Sequence, residues 1–243
     1  MAKVKNFFKK LGRYTWEFFK SSIPAALIYF CAGTVLMMLT LGDGKNLTWD
    51  GTKLAWTIVC AVVALAYNGL LAYAQGGNGY EMLVSGNIKR NAVDAYGESY
   101  KMSSHKEVKE YRPWKGFVTG AFISVYTIVF AILLACNPPT VNSAGEQQYS
   151  IVFLIAMLIS GWSVLPFFYL NASGIAVSYL VSAAFGILPI AVSGVFYILG
   201  AYGRRNKTIK AQELADRAAA AEANKVKKIN YGGLPGTKPR KRK

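Results

Sequence analysis

GWSVLPFFYLNASG, residues 161–174, lies inside a run from 150 to 203 that contains no Lys, Arg, Asp, Glu or His. Whether this stretch crosses a membrane, turns within one or rests at its surface decides how the rest of the chain is threaded. Pro166 removes a backbone donor and disfavours an ordinary helix, and Asn171, Ser173 and Gly174 carry turn chemistry. Trp162, Phe167, Phe168 and Tyr169 are residue types enriched at membrane–water interfaces.

The surrounding composition sets the class. Of 243 residues, 53% are hydrophobic and 16% charged, whereas soluble domains are about a quarter charged. Three further apolar blocks, Ile23 to Leu41, Leu54 to Ala74 and Gly116 to Cys136, precede the long one. About 20 apolar residues span a hydrocarbon core roughly 30 Å thick, so each of the three predicts one transmembrane helix. The amino-terminal MAKVKNFFKKLGRYTWEFFKSSIP has a long basic region, and no A-x-A site follows, which predicts a retained helix rather than a cleaved signal.

Charge then orients the chain. The net charge of +16 is concentrated in residues 1–22, which carry +5, and 204–243, which carry +10, with +2 in 75–115. The connections 42–53 and 137–149 carry 0 and −1. Lys and Arg are retained on the cytoplasmic side during insertion, so both termini and 75–115 are expected inside and the two short connections outside. An internal tail requires the 150–203 run to cross an odd number of times. Three crossings would need about 60 residues before turns are counted. The expected fold is therefore an all-α, polytopic integral membrane helix bundle with four full spans. A re-entrant or interfacial segment from about Ser150 to Leu170 would precede one long final helix ending near Gly203. Five or six spans are the alternatives. Irregular backbone at membrane depth must be buried in protein or line a wet cavity, so re-entry predicts a packed partner or a polar pocket.

Three regions follow from this reading: a basic amphipathic amino-terminal helix, 1–22; a transmembrane domain, 23–203, with a cytoplasmic loop at 75–115; and a basic tail, 204–243, helical at first and then irregular. In the first, Phe7, Leu11, Tyr14 and Phe18 recur at helical spacing and suit a leaflet surface. In the loop, GGNG reads as a flexible exit from the second helix and lacks a phosphate-cradling fingerprint.

Candidate functional residues are few. Gly174, Ser178, Ser182 and Gly186 recur every four residues and, on one α-helix, would form a stripe for close helix packing. Gly116 and Gly120 repeat the pattern in the third helix. Pro189 is expected to kink the last one. Asn68 is the clearest polar side chain at membrane depth, followed by Thr34, Thr57, Ser124 and Thr127; Asn171 and Ser173 complete a candidate polar membrane site. Lys9, Lys10, Arg13, Arg204, Arg205, Lys238, Arg240, Lys241, Arg242 and Lys243 are placed to meet anionic head groups. No aromatic-interleaved motif points to specific nucleic-acid binding.

Buried carboxylates, His or Arg, the usual equipment of pumps, are missing from the apolar blocks. No nucleophile–base arrangement, paired carboxylate or metal-spaced motif is present. No catalytic, cofactor-binding or metal residue is assigned, and Cys31, Cys60, Cys136 and His105 fit no motif. The expectation is a non-enzymatic subunit, scaffold or adaptor in a bacterial cytoplasmic membrane. Its partners would be anionic lipid together with a membrane protein or a second copy. The alternative is a channel or facilitator for an uncharged small solute.

Overall fold

A computed structural model describes residues 2–41, 51–91, 108–141, 147–172 and 174–230. The fold is helical: α1 (Ala2–Leu41), α2 (Gly51–Asn91), α3 (Trp114–Cys136), α4 (Ile151–Ala172), a 3₁₀ segment (Tyr179–Gly186) and α5 (Ile187–Asn230). The exceptions are turns and a two-residue antiparallel pairing, Thr140–Val141 with Gln147–Gln148, between α3 and α4. Among the described residues, five helices are long and apolar enough, by length and composition, to cross a membrane. The chain is an integral-membrane type of helical bundle. By contact, residues 1–201 form one compact unit and 202–243 another.

Hydrophobic side chains cover the outside of the first unit as well as its centre. Leu27, Val62, Leu70 and Ile132 are exposed, and so are the thiol-bearing residues Cys31 and Cys136. In water such a surface would be unfavourable at about 25 cal/mol per Å². Against lipid tails it carries no such penalty, and helix association must come from close packing and hydrogen bonds.

Glycine supplies the close packing. A Cβ on Gly120 would lie 2.6 Å from the Ile190 Cα, and one on Gly116 2.5 Å from the Tyr197 Cβ. Gly76 and Gly200 meet the backbone carbonyls of Tyr197 and Tyr73, and Gly33 meets that of Leu158. These contacts also fix directions. Along α3 and α5, Gly116 faces Tyr197, Gly120 faces Ile190 and the Ser124 hydroxyl donates to the Gly186 carbonyl, so the helices are antiparallel. Along α2 and α5, Asn68 meets Ser193 and Gly76 meets Tyr197, so these two are parallel.

The opening stretch folds differently from a straight crossing. Within α4, Ser160 leaves helical geometry (φ −127°, ψ 18°). The rings of Phe153 and Phe168 lie 4.9 Å apart, and Tyr149 and Phe168 6.2 Å. Fifteen residues of straight α-helix would separate Phe153 from Phe168 by about 22 Å. The chain therefore folds back at Ser160, with 151–159 and 161–172 as the legs of a V. Its vertex is packed: Ser160 is fully buried, and Gly161 approaches the Cα of Gly33, where a Cβ on Gly161 would lie at 3.4 Å.

Several expectations change here. The bend forms at Ser160 rather than at Pro166, which sits inside the second leg. Trp162, Phe167, Phe168 and Tyr169 are buried rather than interfacial, because folding back turns both legs inward. The stripe Gly174, Ser178, Ser182, Gly186 does not form. Gly174 takes φ +84° in a turn, Ser178 is extended, and Ser182 and Gly186 lie in a 3₁₀ helix, whose period of three dissolves a four-residue stripe. Pro189 falls in the first turn of α5, where no intrahelical donor is needed, and so makes no kink. Residues 75–91, expected to begin a loop, continue α2, because Gly76 is there for close approach to α5 rather than to end the helix. The amino-terminal segment is continuous with the first span in α1. Phe18 packs on Trp114 and Phe122, leaving Phe7 and Leu11 exposed.

Candidate functional site

Buried polar side chains gather where α1, α2 and α5 meet. Asn68 is 2% exposed, and its Oδ1 accepts a hydrogen bond from the Ser193 hydroxyl at 3.1 Å. The Tyr29 hydroxyl faces the same amide without reaching ordinary hydrogen-bond geometry. Both that hydroxyl and the Asn68 Nδ2 lack a hydrogen-bond partner among the described residues. An unmatched buried polar group costs about 1–3 kcal/mol, so the junction is either held by surrounding packing or completed by something polar.

The glycine seams explain why these side chains meet. Gly69, beside Asn68, lies against the Phe196 ring, and Gly76 and Gly200 hold α2 and α5 together about two turns away. On the other side, the Tyr29 ring packs against Trp162 with centroids 5.2 Å apart, linking the junction to the vertex of the V. Next to it is a cavity of about 240 Å³ between α1, α3 and the vertex, lined by Leu27, Tyr29, Ile123, Thr127, Ile159 and Trp162. The wall is mostly apolar, with Tyr29 and Thr127 its polar side chains among these six. At the vertex, the Ser160 hydroxyl is a third buried group without a partner among the described residues.

The remaining expected sites separate. Asn171 does not join the junction. Its amide is spent on the turn, donating to the Val177 carbonyl at 2.9 Å and accepting from the Val177 N–H at 2.8 Å. Ser173 lies outside the described residues. Thr34 and Thr57 donate to carbonyls of their own helices, and Ser124 to those of Gly120 and Gly186. Gly116 and Gly120 are packed inside the bundle against α5. Lys9, Lys10, Arg13, Arg204 and Arg205 are exposed. Lys238, Arg240, Lys241, Arg242 and Lys243 lie outside the described residues.

Tyr29, Ser193 and Ser160 were not singled out by sequence. One tyrosine among fifteen and two hydroxyls in an apolar run carry no distinguishing local pattern. The seam glycines Gly33, Gly76 and Gly200 were likewise missed, because their partners lie on other helices rather than four residues along.

Neither a family model, nor a curated protein, nor a solved structure matches the chain.

Proposed function

We propose that this chain is a non-enzymatic integral membrane scaffold or adaptor subunit with four crossings, α4 being re-entrant and both termini cytoplasmic. The observation that carries the reading is helix length. α1, α2 and α5 have 40, 41 and 44 residues, or about 60 Å each, twice the thickness of the hydrocarbon core. The excess lies in residues 2–22, 75–91 and 204–230, which carry 16 of the 28 Lys and Arg residues. The directions of α2 and α5 support an even number of crossings, because α5 leaves the bundle the same way as α2. Helical arms of this kind suit contact with anionic head groups or an acidic partner, through Lys9, Lys10, Arg13, Arg204 and Arg205 among others.

A spin label at Ile209, in the full chain reconstituted into vesicles, tests the arm. Mobility is expected to fall when phosphatidylglycerol replaces part of the phosphatidylcholine, and to recover in high salt as the attraction is screened. Equal mobility in the two vesicle types would remove the lipid contact from the proposal.

The junction of Tyr29, Asn68 and Ser193 favours a second reading, a facilitator for an uncharged small solute, because two unmatched polar groups are what such a solute would engage. Solute flux into proteoliposomes that is lost in Asn68→Leu, with the protein still folded, would favour it over the scaffold.

A further inference from the structure

A second cavity, of about 290 Å³, lies at the opposite end of the α2–α5 seam from the 3₁₀ segment, and its lining includes Glu17, Gln75, Asn78, Lys109, Lys115 and Tyr197. We propose that it is a saturable binding site for a phosphate group, with the Lys115 ammonium as its anchor. Lys115 is 5% exposed, although it carries a charge. Its Nζ donates to the carbonyls of Val108, at 2.6 Å, and Glu110, and lies 5.7 Å from the centre of the Tyr14 ring. An ammonium has three hydrogens to donate; two of these go to carbonyls, while the Glu110 and Glu17 carboxylates act on it through space. Glu17, the acidic group in the wall, stands 3.9 Å from Lys109. The cavity thus holds a buried cation bonded to neutral carbonyls, with a second cation at its edge and amides at Gln75 and Asn78.

Depth in the membrane suggests where a phosphate would come from. Lys115 follows Trp114, which packs against Tyr14 and Phe18 at the point where the apolar block of α3 begins. In a chain that crosses at this block, the end of the apolar run meets the head-group layer. A free phosphate ester entering from the cytoplasm would present the same chemistry. The site lies at the base of the arms formed by 2–22 and 75–91; it rests on the membrane reading but not on the scaffold role, and it predicts a count of one ligand per chain rather than a diffuse attraction.

Native mass spectrometry of the full chain in an uncharged detergent tests this, with short-chain phosphatidylglycerol, glycerol 3-phosphate and inorganic phosphate as probes. One bound ligand per chain is expected. Lys115→Gln should weaken it by at least about tenfold, as loss of a charge-assisted bond implies. Asn78→Trp, at an exposed position on the cavity wall, should do the same by obstruction and leaves the core untouched if Lys115→Gln does not fold. Lys53→Gln, at the other end of α2, should change affinity less than twofold. A lipid source predicts that millimolar phosphate and glycerol 3-phosphate fail to displace phosphatidylglycerol, and a soluble source predicts that they displace it. Unchanged affinity in Asn78→Trp and folded Lys115→Gln, or no saturable binding of any probe, would overturn the proposal.

Discussion

Asn68 shows how differently one residue reads in sequence and in structure. Its position in an apolar block marked it as a polar group needing a partner, and it is buried against Ser193. The partner could not be named beforehand, since Ser193 is 125 residues away and one of several serines in the last apolar run. The energetic consequence is specific. Ser193→Ala should destabilise the protein by about 1 kcal/mol, because it leaves the Asn68 amide wholly unmatched. Adding Asn68→Leu should recover most of that loss, since removing both partners leaves only the Tyr29 hydroxyl unmatched at the junction, as it already was. Thermal unfolding of the single and double variants in one detergent checks this, and a double variant much less stable than Ser193→Ala would contradict it. The same comparison bears on the solute reading, because a merely structural junction tolerates the double change.

At the scale of elements, α4 was the legible surprise. Segment length and charge parity favoured a part of 150–203 that does not span, with five or six spans as alternatives, and the helix there folds back at Ser160. What sequence could not supply was the place of the bend. Pro166 is the stronger local breaker, yet the chain turns at Ser160, next to Gly161, where absence of a side chain lets the vertex sit against Gly33. Long-range fit between two glycines outweighed local propensity. The four-residue stripe failed for the converse reason: its spacing was real, but the segment adopts a turn and a 3₁₀ helix instead. Spin labels at Ile151 and Leu170 read the bend directly. A straight helix would hold these positions about 28 Å apart; the V predicts well under 20 Å. A distance near the straight-helix value would return α4 to an ordinary span.

Across the whole molecule, hydropathy made the helical membrane class plain, and the positive charge set the expected sidedness. The helix lengths were not legible, because apolar blocks mark only the part of a helix inside the bilayer. Polar stretches such as 75–91 and 204–230 continue as helix through good helix formers and, in α2, through packing of Gly76 on α5. In the proposed topology the chain enters and leaves the membrane on one side, with α4 dipping in from the other. Labelling by a membrane-impermeant maleimide is its most direct test, using single cysteines at Phe8, Ile151 and Leu214 in a protein with Cys31, Cys60 and Cys136 replaced. Positions 8 and 214 are expected to react from the same, cytoplasmic side and 151 from the opposite one; reaction of 214 from the side that labels 151 would contradict the four-crossing account.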